Sequence, residues 1–401
     1  MEKIDLIKKY ANEFGINEDE YINIMNDKAI ESSFIDDIDV EQEMKKSSNA
    51  LRIMTGIPEI DDLTNGLCAG IHVIAGFRKC CKSTFALNLI YRALNEGKNV
   101  CLLSLEMSKI DVLNILLSLH SFECNLETAV TREELITLYE LDREKYNEIL
   151  YSFLSLPGNL VICTEKDLLI NNENQPIYSE ENLDRLFTNI NSISYKKTKQ
   201  PIQVLVVDNI NCIRVWDKKI MGEMAYSKAS NYFRRISLNF GKNTCDEESN
   251  TKYGNEPVIL LLLAQVNRSG GKEALYSGFY SESSIAETVN IERDATTIIP
   301  IYVNSESISY GTAYIKLEAS RYCQSMIYPV TIPINLQYGK IGYPLEKINT
   351  NSQRLKDIMI SKKFKLIYVE KDYEVDKILL PIGEELPEGF KEISKEEYYE
   401  A

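Results

Sequence analysis

Val73-Ile74-Ala75-Gly76-Phe77-Arg78-Lys79-Cys80-Cys81-Lys82-Ser83-Thr84 is the stretch on which the reading of the fold turns. An apolar run stops at a glycine, a short polar loop follows, and Lys-Ser-Thr opens a segment of helical pattern. This is the layout of a phosphate-binding loop, G-x-x-x-x-G-K-[ST], with Cys81 at the second glycine. In such a loop backbone N–H groups wrap the β-phosphate, and the helix that follows adds its positive N-terminal end. Lys82 is the residue to neutralise the β- and γ-phosphates, and Ser83 the one to ligate Mg²⁺. Gly76, Phe77, Arg78, Lys79, Cys80, Cys81, Lys82, Ser83 and Thr84 are therefore the candidate nucleotide-binding residues. A glycine before the lysine lets the backbone approach phosphate without a Cβ in the way. Cys81 must fit there, or the loop must shift.

Around this loop the chain alternates strands and helices. Ile71–Ala75, Val100–Leu105, Leu160–Cys163, Val204–Val207 and Val258–Ala264 are continuous apolar runs, as in parallel strands covered on both faces. A helix is expected from Lys82 to near Gly97. Another starts at Ser108 with Asp111 three residues on, and a third follows the capping box Thr131-Arg132-Glu133-Glu134. The alternation predicts a doubly wound α/β domain. Ala313–Leu317, Tyr328–Ile334 and Lys340–Tyr343 read as antiparallel strands that close the sheet.

Residues 1–50 are polar and helical in pattern. Ile4, Ile7, Ala11 and Phe14 share one helical face, and Asn17 with Glu20 resembles a capping box for a second helix. Lys45-Lys46-Ser47-Ser48-Asn49 has the composition of a linker. Residues 51–345 form the expected core, and 346–401 an acidic C-terminal extension with a strand at Phe364–Val369. The polar insert 242–256 carries no signal of a role.

The 401-residue chain is 44% hydrophobic and 26% charged, in the range of soluble globular proteins. Its longest apolar run, Val258–Ala264, is far too short to cross a bilayer, and its start has no signal-peptide pattern. Nine scattered cysteines without a C-x-x-C pair, and two histidines, argue against a zinc site and for reduced thiols in a cytoplasmic protein. A net charge of −15 excludes nucleic-acid binding through bulk electrostatics, so any such contact needs a local basic surface. A ring with a basic lumen and an acidic outside would meet both conditions.

Thr55-Gly56-Ile57-Pro58-Glu59-Ile60-Asp61-Asp62-Leu63, then Gly66-Leu67 and Gly70, and above all Leu103-Ser104-Leu105-Glu106-Met107-Ser108, resemble the RecA-like domain of DnaB-type replicative helicases. The resemblance spans roughly residues 51–345 and implies a RecA-like P-loop NTPase core with a mostly parallel sheet between helices. It also implies ATP and Mg²⁺ as cofactors, a homo-hexameric ring, single-stranded DNA as partner, a primase or loader as further partner, and five-prime to three-prime movement. Glu106 matches the glutamate that polarises the attacking water. Asp208 matches the Walker B aspartate that holds Mg²⁺ together with Ser83. Gln265 matches the glutamine that senses the γ-phosphate, and Arg321 the arginine finger that reaches the next subunit's nucleotide. Ile291-Glu292-Arg293-Asp294-Ala295 resembles the family's I-E-x-D-A segment. The family's DNA-contacting loops would carry Arg214, Lys218 and Lys219 after Asp208, and Arg268 and Lys272 after Gln265.

The departures matter as well. Cys81 replaces a glycine, Asp208-Asn209-Ile210-Asn211 stands where the family has D-Y-L-Q, and Ala319-Ser320-Arg321 where it has K-x-R. A cation lost near phosphate weakens transition-state stabilisation. Residues 1–50 are too few for the family's globular N-terminal domain. Two readings follow: an ATP-dependent DNA helicase or translocase, encoded by a phage or mobile element, or a nucleotide-binding relative with little hydrolysis that serves as a structural or regulatory ring component. A recombinase-like ATPase that assembles on DNA without unwinding is disfavoured by the Ser-Leu-Glu-Met-Ser string.

Overall fold

The computed structural model describes residues 50–168, 178–210, 223–241, 244–246, 251–253, 256–266, 274, 279–280, 293–345, 364–371, 374–381 and 391–393. The two helices expected within residues 1–50 lie outside that set. The chain runs β1 (Arg52–Ile53), α1 (Pro58–Thr64), β2 (Leu67–Cys68), β3 (Gly70–Gly76), α2 (Lys82–Asn95), β4 (Asn99–Ser104) and α3 (Lys109–Cys124). It continues with α4 (Arg132–Leu141), α5 (Arg143–Leu154), β5 (Asn159–Cys163), α6 (Glu180–Thr198), β6 (Val204–Asp208), α7 (Glu223–Leu238), β7 (Thr244–Asp246), β8 (Thr251–Tyr253) and β9 (Ile259–Gln265). Then come β10 (Thr297–Tyr302), α8 (Ser305–Ser309), β11 (Thr312–Ile315), β12 (Ala319–Ser320), β13 (Val330–Asn335) and β14 (Lys340–Ile341). Last are β15 (Phe364–Lys371), β16 (Glu374–Pro381) and β17 (Lys391–Ile393), which pair antiparallel in a sheet of their own.

The central sheet has ten strands in the order β14-β13-β11-β10-β3-β9-β6-β4-β5, with β12 also paired to β10. From β10 to β5 all neighbours are parallel, and from β10 to β14 they are antiparallel. The five apolar runs form β3, β4, β5, β6 and β9, and the three later segments form β11, β13 and β14, as their composition predicts. The sixth parallel strand, β10, goes unrecognised in the sequence because Pro300 interrupts it, and proline argues against a central strand. Here Pro300 pairs with Ala75 and its carbonyl accepts the Lys316 N–H at 3.2 Å. The polar insert forms an antiparallel β7–β8 hairpin.

Continuous apolar strands are needed because both faces are covered. Alternate residues feed two separate cores. Ile74, Leu102, Val206 and Leu261 pack with Phe85 and Leu89 of α2 and Leu116 of α3. Val73, Cys101, Leu205 and Leu260 pack on the other face with Phe187 of α6 and Phe233 of α7. The helix starts are those the capping residues announce. The Ser108 side chain accepts the Asp111 N–H, and Thr131 with Glu134 closes a capping box.

The Thr55–Leu63 motif seats this core's leading edge. The buried Asp61 carboxylate accepts the Thr55 and Gly56 N–H groups, each at 2.8 Å, and the Thr55 hydroxyl at 2.7 Å. Gly56 has φ +77, and a Cβ there would run into the Arg92 guanidinium of α2, so glycine is required on both counts.

His72 lies fully buried in β3. Its Nε2 donates to the Cys68 carbonyl at 2.6 Å, which leaves Nδ1 to accept the Thr297 hydroxyl at 2.8 Å. Burial pushes its pKa down to about 4 from 6.5. The unfolded chain takes up this proton below pH 6.5 and the folded chain only near 4, so stability falls as pH drops through that window. We expect the stability of the wild type relative to His72→Gln to fall by about 2.5 kcal/mol between pH 7.5 and 4.5. Denaturant titrations of both proteins at the two pH values measure it; a constant difference would refute the assignment.

Candidate nucleotide site

The site forms where parallel strands end. β3 stops at Gly76, and residues 77–81 turn back into α2. Two loop residues take left-handed backbone angles, Lys79 at φ 62 and Cys81 at φ 66. Alternation of that kind points successive N–H groups inward to form an anion-binding nest. Gly76 is fixed by crowding, since a Cβ would meet Cys80 Sγ and would lie 2.7 Å from the Ile301 carbonyl. Lys82 Nζ lies across the loop and donates to the Gly76 and Phe77 carbonyls, each at 2.9 Å. Tyr280, from far along the chain, accepts the Phe77 N–H on its hydroxyl at 2.7 Å. Burial pushes the Cys80 thiol up, and that of Cys81 up to about 11, so neither is a ready nucleophile.

Cys81 therefore occupies the backbone region that favours glycine. A non-glycine residue there costs roughly 1–2 kcal/mol, partly offset by the smaller entropy of its unfolded state. Cys81→Gly is expected to raise kcat/KM for ATP about tenfold while stability stays within about 1 kcal/mol. Steady-state hydrolysis and thermal melts test this; a lower kcat/KM would mean that the loop uses the thiol.

The other site residues sit at the ends of the neighbouring strands. Gln265 ends β9 directly beside Gly76 in register, and its Oε1 accepts Arg78 Nε at 3.3 Å. Asp208 ends β6 beside Ser104, and its carbonyl accepts the Leu105 N–H at 2.7 Å. The Ser-Leu-Glu-Met-Ser string has a local reason. Ser104 Oγ donates to the Met107 carbonyl at 2.8 Å and accepts the Met107 N–H, and Ser108 caps α3, so Glu106 stands at the tip of a tied turn. Asn209 Nδ2 donates to Glu106 Oε1. The pKa of Asp208 is raised to about 6, chiefly by burial and further by the Glu106 carboxylate, against the lowering effects of Ser83 and Lys82.

Residues 78–84 with Glu106, Asp208 and Gln265 line one open cavity of about 630 Å³. Their chemistry fits a nucleotide with Mg²⁺. A nest and a lysine meet phosphate, while a hydroxyl and a carboxylate whose charge is disfavoured wait for a divalent cation. Among the described residues no cluster of three or more His, Cys, Asp or Glu could hold a metal by itself. Mg²⁺ needs only one or two protein ligands and fills its shell with phosphate and water, a demand that Ser83 and Asp208 can meet.

Arg321 is not part of this cavity. Ser320 pairs with Thr297 and Thr297 with His72, at the opposite end of β3 from the loop. Four residues of strand, roughly 13 Å, separate that level from Gly76. Arg214, Lys218, Lys219, Arg268 and Lys272 lie outside the described residues. Asn209 and Tyr280 are the site residues that sequence reading missed. Asn209 sits next to Asp208 and could have been flagged by that adjacency, whereas nothing local marks Tyr280.

A mostly parallel sheet between two helical layers, with phosphate-binding groups gathered at the strand ends, defines a P-loop nucleotide-binding protein of RecA-like fold. The family model for the DnaB-like helicase C terminal domain matches residues 52–318. The chain belongs to that family. Among solved structures it is similar to the ATPase domain of another protein, with TM-score 0.54 and 16% identity over 79% of this chain and 97% of that one. It is also similar to a DnaB-like replicative helicase whose structure describes its interactions with primase, with TM-score 0.53 and 16% identity over 84% of this chain and 74% of that one. Likeness at this identity establishes the fold. Among curated proteins none matches the chain in sequence. Among the described residues no helix is long and apolar enough to cross a membrane.

Proposed function

We propose that this protein is an ATP-driven DNA helicase or translocase that works as a homo-hexameric ring on single-stranded DNA during replication. The observation that carries the reading is the convergence of Lys82, Ser83, Glu106, Asp208 and Gln265 on one cavity at the ends of parallel strands. Such a set suits both binding of a nucleoside triphosphate and its hydrolysis, whereas binding alone would not need Glu106.

The residue roles follow from position and chemistry. The 76–84 loop holds the phosphates, and Lys82 leaves its carbonyl partners to neutralise the β- and γ-phosphates. Ser83 and Asp208 would hold Mg²⁺, which would supply neutralisation of phosphate charge. Glu106, oriented by Asn209, polarises the attacking water, and Gln265 reports the γ-phosphate to the following loop. Arg321 acts on the nucleotide of the neighbouring copy. Arg214, Lys218, Lys219, Arg268 and Lys272 contact the DNA backbone without regard to sequence, through a salt-sensitive set of phosphate contacts. Residues 51–345 are the motor, 1–50 a linking segment and 346–401 an accessory extension. A primase or loader is the natural partner, in the cytoplasm of a cell infected by a phage or carrying a mobile element.

A second reading, a ring component that binds nucleotide with little turnover, is favoured by one observation: Cys81 brings a Cβ into a left-handed position of the phosphate loop. ATP hydrolysis by the purified protein, with and without single-stranded DNA and beside Lys82→Ala, separates the two. DNA-stimulated turnover lost in the variant supports the motor. A folded, nucleotide-binding protein with turnover no higher than the variant's supports the second reading.

A further inference from the structure

We infer that Arg293 is a second phosphate-binding cation, presented beside Arg321 to the polyphosphate in the cavity of a neighbouring copy of this chain; this rests on the ring ATPase reading above. Three hydrogen bonds make the two arginines one device. The Arg321 N–H donates to the Thr296 carbonyl at 2.9 Å, its Nε to the Ala295 carbonyl at 2.9 Å, and its Nη2 to the Arg293 carbonyl at 2.7 Å. Arg321 thus buttresses the short segment that carries Arg293. A guanidinium has five N–H groups. Two of those on Arg321 are used in these side-chain bonds.

Among the described residues, Arg293 is held chiefly at its backbone end. Its side chain is 68% exposed, and its ion-pair contact is a long 3.9 Å approach of Nε to Asp294 Oδ1. Asp294 is already engaged. It is buried, accepts the Ser230 hydroxyl at 2.7 Å, and faces Arg234 at 3.5 Å. Among the described residues, then, one carboxylate answers Arg293 and Arg234 together, with Arg321 tied to the same segment. This is a basic patch in a chain of net charge −15. Guanidinium groups bind phosphate oxygens in a bidentate fashion, which suits the patch to a polyphosphate.

The patch cannot serve its own cavity. It lies where β10 begins, at the other end of the sheet from the phosphate loop. The turn that follows Arg321 carries Tyr322 and Ile327, each 73% exposed, and Tyr328, 78% exposed. Large apolar side chains left in water next to a basic cluster mark a contact surface. A second copy, bringing the phosphates of a nucleotide in its cavity to the arginines, satisfies both parts. Head-to-tail repetition of that contact closes a ring.

The test uses the full-length ring. Arg293→Gln is expected to lower DNA-stimulated kcat about 50-fold with KM for ATP nearly unchanged, and Arg293→Lys to retain part of the rate. Light scattering should find the assembly intact. Action in trans is read from co-assembled rings. At equal ratio with Lys82→Ala subunits, Arg293→Gln should give about half the rate of wild type mixed with Lys82→Ala, because half of its intact cavities then face an intact arginine. A wild-type rate in Arg293→Gln overturns the inference and leaves the ATPase reading standing. So does loss of assembly, or a mixed ring as slow as Arg293→Gln alone, either of which would mean a structural role. Absence of hydrolysis in the wild type overturns both.

Discussion

Lys82→Ala is expected to abolish ATP turnover, with a fall in kcat of at least about 10²–10³-fold, the scale for removing one preorganised charge from a transition state. Lys82 is nearly buried, and its ammonium group bridges two carbonyls of its own loop. Those are interim partners of a kind phosphate oxygens can replace, because a neutral carbonyl competes poorly with an anion for an ammonium group. The variant also loses two hydrogen bonds that tie the loop, so a stability loss of roughly 1–3 kcal/mol is expected. Hydrolysis assays, with denaturant titration as the control for folding, measure both. A variant that keeps the wild-type rate would show that the observed hydrolysis does not occur in this cavity.

Asp208→Asn is expected to separate stability from activity. The Asp208 carboxyl has its pKa raised to about 6, against 3.8 for an ordinary aspartate, mainly because it is buried. The folded protein therefore takes up a proton below pH 6 that the unfolded chain takes up only near 3.8. Above pH 6 the ionised group destabilises the folded state in full, and the penalty fades as pH falls through that window. Asparagine removes the penalty, so at pH 7.5 the variant should be more stable than the wild type by up to about 3 kcal/mol, with most of the gain lost by about pH 4 and all of it by about pH 3. Turnover should fall by about 100-fold or more, since the proposed Mg²⁺ ligand is lost. Mg²⁺ with nucleotide should stabilise the wild type and not the variant. Chemical denaturation across pH gives the first result, and melting with added Mg²⁺–ATP the second. A variant less stable than the wild type at pH 7.5 would refute the account. The His72 effect runs in the opposite direction over nearly the same range, which is why each must be measured against its own variant.

Much of the fold and of the cavity is legible in the residues because the signals are local. A strand buried on both faces must be apolar throughout, so β3, β4, β5, β6 and β9 stand out as runs of Val, Ile and Leu. Helix starts declare themselves through Ser108 and Thr131, because a first turn needs acceptors for its free N–H groups. Glu106 and Asp208 are recognisable by their place just after an apolar run, where parallel strands deliver side chains to one edge.

What is illegible depends on distance along the chain or on backbone angle. β10 is disguised by Pro300, whose carbonyl nonetheless accepts the Lys316 N–H. The sequence identifies Cys81 as a substitution, yet only the left-handed angle at φ 66 explains why a side chain is costly there. Tyr280 reaches the Phe77 N–H from 203 residues away, and no local pattern encodes such a contact.

By itself, then, the sequence determined the alternation of strands and helices, the phosphate loop and the carboxylates at strand ends, since short-range periodicity and spacing encode them. Only the tertiary structure decided which strands are neighbours, and therefore that Gly76 stands beside Gln265 and Ser104 beside Asp208. It also decided that Arg321 and Arg293 lie at the far end of the sheet from the cavity. Strand order and register are set by the packing of two cores at once, a property of the whole chain and of no single segment.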